Sequence, residues 1–126
     1  MKREVDQMIK GIGIDIVEVD RIAAAMKRNK RFINRVLTSS ERRLLQSIHN
    51  DHRRAEFVAG RFAAKEAFSK AAGTGIGSVY AFQDISIVKN DVGAPILEVD
   101  KCSYEIWVSI SHSQSHAIAQ VVLEEV

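Results

Sequence analysis

At 126 residues and 46% hydrophobic, the chain is long enough for one domain with a real core and too short for two. No apolar run approaches the roughly 18 residues needed to cross a membrane, and residues 1–10 lack the apolar centre of a signal peptide, so a cytoplasmic protein with no membrane attachment is expected. One cysteine, Cys102, rules out an internal disulfide and has no zinc-ligand spacing around it. The net charge of +2 conceals a segregation: between Arg21 and Arg54 ten basic residues face only Glu41 and Asp51, a local net of +8. Such a block suits an anionic partner or a set of solvated helix faces. Nucleic acid is disfavoured, because only Phe32 stands among these charges where stacking on bases would need several aromatic rings.

In chain order, residues 1–8 form a candidate disordered extension, with Met8 an alternative start. Lys10 to Val17 alternates as a strand, with Ile12, Ile14 and Ile16 on one face and Asp15 on the other beside Gly11 and Gly13. An acid near a strand end with glycines around it suits a metal ligand; more often such an Asp caps the next helix. Short amphipathic helices follow, with Val19, Ile22, Ala23 and Met26 as one stripe and Phe32, Ile33, Val36 and Leu37 as the next. Thr38-Ser39-Ser40-Glu41 fits a capping box opening a third helix to about Ile48. Asn50 or Asp51 then caps the longest helix.

That helix, centred on Phe57 to Ala72, carries apolar residues on more than one side, the mark of a buried helix. Phe57, Ala64, Phe68 and Ala71 make a main stripe, and Ala59, Ala63, Glu66 and Lys70 share roughly the opposite face. Glu66 and Lys70 can be an i,i+4 ion pair or, among small side chains, a site. Gly73-Thr74-Gly75-Ile76-Gly77 ends the helix and is expected to offer free backbone N–H groups. Its position after a helix rather than before one excludes a Walker loop or a dinucleotide fingerprint. Beyond it the period becomes two: Ala81 to Lys89 and Ala94 to Val99 form one hairpin around Asn90–Gly93, and Ile106 to His112 and Ala117 to Glu124 form a second. His112 falls in register with Val108 and Ile110, pointing toward the buried side as a core or a site histidine.

With these segments in place, the chain from Ile9 onward resembles the small bacterial-type holo-acyl-carrier-protein synthases, which are phosphopantetheinyl transferases. The resemblance rests on Gly13-Ile14-Asp15-Ile16, on the run Phe57 to Ala71 with its Lys65-Glu66-x-x-x-Lys70, on Gly73 to Gly77, and on Val108-Ser109-Ile110-Ser111-His112-Ser113. It implies an α+β fold of one domain, an antiparallel sheet packed on a long buried helix. It further implies transfer of the 4′-phosphopantetheine arm of coenzyme A to a serine of apo acyl carrier protein, in support of fatty acid biosynthesis. Asp15 and Glu66 match the family's Mg²⁺ ligands, Lys70 its lysine at the pyrophosphate, and His112 a contact to the same phosphates. Arg61, Lys65, Gly73, Gly75 and Ile76 are candidate contacts to the cofactor, and Arg21 with Arg28 on the first helix matches the docking surface for the acidic carrier. A homotrimer with sites between subunits is the implied assembly. The base that activates the serine stays open among Glu66, a metal-bound water and Asp15.

Overall fold

The computed structural model describes residues 8–126; the expected extension over residues 1–7 lies outside them. Residue 8 does not belong to that extension, since its carbonyl accepts a hydrogen bond from the Glu125 N–H at 2.9 Å. Five strands, β1 (Ile9–Glu18), β2 (Ile85–Lys89), β3 (Pro95–Val99), β4 (Glu105–His112) and β5 (His116–Glu124), surround four helices, α1 (Val19–Arg28), α2 (Arg31–Val36), α3 (Ser39–Gln46) and α4 (Asp51–Ala72). The strands form two antiparallel sheets instead of one: β1-β5-β4, and a separate β2-β3 ribbon. Asn50 caps α4 by accepting from the Arg53 N–H, so the helix begins a turn and a half before Phe57.

The alternation in β1 is as expected, but its sense is the reverse of the usual one. Ile12, Ile14 and Ile16 point outward and remain half exposed, while Gly11, Gly13, Asp15 and Val17 face α4. The glycines are there because helix and strand backbones touch. A Cβ on Gly13 would overlap the carbonyl oxygen of Ala67, and one on Gly11 that of Ala71. Ala63, Ala67 and Ala71 complete this seam on the helix side, each buried. The next layer of core is conventional: Phe68 packs with Ile85, Ile87, Leu97 and the inward residues Ala119, Val121 and Leu123 of β5. A second cluster joins α1, α2, α3 and the first half of α4 through Val19, Ile22, Val36, Leu37, Leu45 and Val58. Phe32, the one aromatic ring of the basic block, stacks on Phe62 at 6.1 Å and is committed to this packing.

A buried carboxylate holds these layers together. Glu41 is fully buried, and its Oε1 accepts from the Thr38 N–H at 2.9 Å, as a capping box requires. The same carboxylate accepts from the Lys65 ammonium at 2.7 Å and, through Oε2, from the Ile87 N–H at 2.8 Å. Lys65, also fully buried, donates to the carbonyls of Val36 and Phe82 as well. One ion pair therefore ties α2, α3, α4, β2 and the short turn at Phe82–Asp84. Burial pulls the Lys65 ammonium below its usual pKa while the adjacent Glu41 charge opposes that shift. Lys65→Met should cost about 3–5 kcal/mol of folding free energy, because it takes the hydrogen-bonded cation from the buried Glu41 and leaves it the Arg61 guanidinium, at 3.6 Å and without a hydrogen bond, as counter-charge. Urea denaturation followed by circular dichroism measures the loss.

Candidate active site

The close approach of β1 to α4 sets the first half of the site. Past Gly13, Asp15 is the next inward residue of the strand, and there is now room for a side chain to reach along the helix. The Lys70 ammonium donates to Asp15 Oδ1 at 2.9 Å and to the Ile14 carbonyl at 3.0 Å. Asp15 is thus not a cap for α1, whose N-cap is Glu18, and among the described residues Lys70's ion-pair partner is Asp15 rather than Glu66 one turn before it. Glu66 lies beside the pair. Burial pushes its carboxyl above the usual carboxylate range, the neighbouring Asp15 charge pushes it further, and Lys70 partly offsets both. Asp15, Glu66 and Lys70 therefore converge as expected, from residues more than 50 positions apart.

Two hard oxygen donors repelling each other is a donor set that a divalent cation relieves. Among the described residues no three His, Cys, Asp or Glu side chains cluster as a metal cage. Mg²⁺ does not need one, since it binds through one or two carboxylates and leaves its other positions to water and phosphate. Asp15 and Glu66 fit that group.

His112 is elsewhere. It leaves the end of β4 on the α4 side, as its register requires, but it is exposed instead of buried, and its Nδ1 is 3.6 Å from Glu56 Oε2. Glu56 precedes Glu66 by ten residues and Lys70 by fourteen, which on an α-helix is about 15–21 Å of rise. Within one chain, His112 and Lys70 do not reach the same phosphates. His112 instead borders a cleft of about 450 Å³ with Arg53, Arg61, Lys89, Glu56 and Pro95. At its floor the Arg61 guanidinium lies 3.8 Å over the Phe57 ring, with Nε 3.6 Å from Glu41 Oε2 and without a hydrogen-bond partner. Burial lowers its pKa against the pull of Glu41. Glu41 is already engaged by Lys65, so Arg61 brings a second positive charge that this carboxylate does not balance. Arg53, Lys89 and this half of the site carried no sequence signal beyond membership of the basic block or a position beside the Asn90 turn.

Two expectations are corrected. Lys65 is not a cofactor contact, because its ammonium is sealed from solvent and spent on Glu41, Val36 and Phe82. The glycine loop does not offer free N–H groups from its glycines: those of Gly73, Thr74 and Gly75 close the C-terminus of α4 and that of Gly77 bonds to the Tyr80 carbonyl. Gly73, at φ 76°, is the left-handed cap that stops α4 two residues after Lys70. Gly75, two residues on, stands in open space, and Ile76 is half buried against both cores, so contact with a ligand there would rest on shape. Arg21 and Arg28 are both exposed on α1. Part of the basic block is structural, however: Arg42 donates to the Leu37 carbonyl, and Arg54 to those of Leu45 and Ile48, satisfying helix ends.

The chain has well-matched relatives. The family model of the 4′-phosphopantetheinyl transferase superfamily matches residues 11–121, and the chain belongs to that family of transferases. A holo-[acyl-carrier-protein] synthase of Oceanobacillus iheyensis is 53% identical over 118 residues, covering 93% of this chain and 98% of that one. The same enzyme of a Geobacillus species is 52% identical over 117 residues, covering 93% and 98%. Among solved structures, a Bacillus anthracis holo-(acyl-carrier-protein) synthase in complex with CoA (3′,5′-ADP) superposes with a TM-score of 0.89 at 48% identity, covering 95% of this chain and 100% of that one. The Helicobacter pylori synthase in complex with coenzyme A gives 0.78 at 39%, covering 89% and 98%. No helix among the described residues is long and apolar enough to cross a membrane.

The raised pKa of Glu66 has a thermodynamic sign. A carboxyl that binds its proton more tightly when folded destabilises the fold as pH rises through the ordinary carboxylate range to the raised value, and that cost persists above it. Glu66→Gln should therefore unfold at a modestly higher temperature than the parent at pH 7 without added metal. The gap should close as pH falls below the ordinary carboxylate range. Calorimetry across pH checks both halves, and a lower unfolding temperature at pH 7 would contradict them.

Proposed function

We propose that the protein transfers 4′-phosphopantetheine from coenzyme A to a serine hydroxyl of an apo acyl carrier protein, with Mg²⁺, releasing adenosine 3′,5′-bisphosphate. The observation that carries the reading is the meeting of Asp15, Glu66 and Lys70 beside a helix–strand seam, in a family whose relatives are named for this reaction. The serine oxygen forms a bond to the phosphorus on the pantetheine side of the pyrophosphate. The bond from that phosphorus to the bridging oxygen breaks, and the serine proton leaves to a base. Such a displacement asks the protein mainly for positioning and for positive charge on the oxygens. Asp15 and Glu66 would hold Mg²⁺, which would supply positive charge to the pyrophosphate oxygens. Lys70, free to turn from Asp15 at the exposed end of α4, meets the leaving phosphate and stabilises the charge that builds on it.

The same reading assigns His112, Arg61 and Arg53 to phosphates of coenzyme A from a second subunit. Two observations support an assembly with sites between chains. His112 and Lys70 are too far apart within one chain, and the outer face of the sheet is uncovered: Ile12 of β1 aligns through Val122 of β5 with Trp107 of β4, and Ile16 lies opposite Ile118 of β5. Ile12, Ile14, Ile16, Trp107 and Ile118 are exposed, and Val122 is partly buried. An apolar sheet face of this kind is what an oligomer covers. A homotrimer, as in the resemblance, is the proposed form. The acidic carrier docks on α1, where Arg21, Lys27 and Arg28 are exposed alongside a cleft that Ala23, Met26 and Ile33 line. Rim charges of this kind speed encounter and are screened by salt. The chain would work in the cytoplasm, where its substrates are made.

Two experiments test this. Mass spectrometry of an apo carrier protein incubated with coenzyme A, Mg²⁺ and enzyme should register addition of the phosphopantetheine mass. Asp15→Asn and Lys70→Ala should cut turnover by about 100-fold or more without unfolding the chain, in line with the loss of an electrostatic stabiliser of the transition state; near-normal rates in both would refute the assignment. Separately, Lys70→Ala and His112→Ala chains, each impaired alone, should regain activity when unfolded together and refolded as a mixture, because some interfaces then carry one intact half from each. Additive residual activity would place both residues in a single chain's site.

A further inference from the structure

We propose that Phe57 is a positioning residue for Arg61: its ring holds one face of the guanidinium and leaves the N–H donors free for an anionic substrate in the cleft. The proposal rests on the reading that puts Arg61 at the phosphates of coenzyme A. Arg61 Cζ lies 3.8 Å over the centroid of the Phe57 ring, and both residues line the cleft that His112 borders. The pairing follows from the helix. Phe57 precedes Arg61 by four residues in α4, and a long side chain on an α-helix leans back over the turn before it. At a stacking separation the ring covers a face of the guanidinium, whereas all five donors lie in its plane. An aromatic platform therefore orients this cation without using a donor. A carboxylate or carbonyl would use at least one.

Other sheltered cations of the chain are held differently. Lys65 gives its ammonium to Glu41 and to the Val36 and Phe82 carbonyls, Arg42 donates to the Leu37 carbonyl, and Arg54 to those of Leu45 and Ile48. Arg61 is only 8% exposed, yet its Nε is sealed from solvent without a hydrogen-bond partner. Glu41 attracts that Nε from 3.6 Å, but its oxygens accept instead from the Thr38 N–H, the Lys65 ammonium and the Ile87 N–H. Coulomb attraction has no preferred direction, so it keeps the cation at the floor of the cleft without aiming it. The ring contact is what constrains the guanidinium plane. Recognition of a phosphate by two parallel N–H groups needs that plane fixed and its donors unspent.

The test measures coenzyme A affinity by calorimetry on full-length protein with Mg²⁺ and no carrier protein. Phe57→Leu, which keeps an apolar cover but removes the ring face, should weaken affinity by about 5-fold, with turnover at saturating coenzyme A near the parent's. Phe57→Tyr, which keeps the ring, should keep the affinity. Arg61→Met should lose more than Phe57→Leu, and in that background Phe57→Leu should bring no further loss. Orientation is read separately in ligand-free protein with ¹⁵N-labelled arginine. The Arg61 Hε, assigned by its absence from Arg61→Met, should exchange with solvent faster in Phe57→Leu and at the parent's rate in Phe57→Tyr. If Phe57→Leu does not fold, the more adaptable Phe57→Met takes its place. Unchanged Hε exchange overturns the proposal. An equal loss of affinity with Arg61 already removed overturns it too, since Phe57 would then act on the ligand or the fold without Arg61. If Hε exchange rises but Arg61→Met binds coenzyme A as the parent does, it is the placement of Arg61 at the phosphates that fails, and Phe57's part in binding with it.

Discussion

The backbone of β1 rests directly on α4, and nearly everything chemical about the molecule depends on that contact. Side chains normally keep a helix about 10 Å from a sheet it covers. Here Gly11 and Gly13 remove them on one side and buried alanines shrink them on the other. The result is that Asp15, two residues past Gly13, meets a lysine and a glutamate on the helix without spanning a layer of core. A methyl group at Gly13 would lift the strand from the helix and widen the gap between Asp15 and Glu66. The glycines shape the candidate site although neither brings a side chain to it.

The second constraint is the Glu41 carboxylate. Lys65 and Lys70 sit in one short motif and have opposite fates, decided by which side of α4 they occupy. Lys70 lies over the seam and stays free to change partners. Lys65 points at a buried acid brought by α3, and that pair fixes the β2-β3 ribbon against the helix through the Ile87 N–H. Arg61, one turn earlier on the same side, is oriented by Glu41 yet left with an unpartnered Nε. One buried carboxylate thus secures the scaffold with one cation and sets a second at the floor of the cleft.

Most of the fold was legible because its elements are amphipathic with regular periods, and Asp15, Glu66 and Lys70 were legible through their combination with those elements. What escaped was governed by pairing between distant segments. The isoleucine face of β1 is identical in pattern to a buried face, and only the backbone contact at Gly13 reveals that the glycine side is the inner one. Lys65 reads like any lysine of a charged helix until its stripe is followed: Val58, Arg61, Lys65 and Phe68 share one side, and two cations on a core stripe call for a buried acid. Glu41 had an adequate local role as a cap, which masked the longer-range one. The separation of His112 from Lys70 depends on where β4 crosses α4, which no local pattern encodes.

The order of strands has a consequence for how the molecule comes into being. β5 is the middle strand of the main sheet, hydrogen-bonded to β1 on one side and β4 on the other, and its Ala119 is the partner of Asp15. During synthesis, α1 through β4 are made before the strand that β1 pairs with, so for most of that time β1 has α4 to rest on but no neighbour to set its register. Contacts of such long sequence separation close late. A ribosome-bound chain can bury Phe68 and pair Glu41 with Lys65 while its acidic strand is still unanchored. The register of the strand that carries Asp15 is thus set late, once β5 lies between its two neighbours.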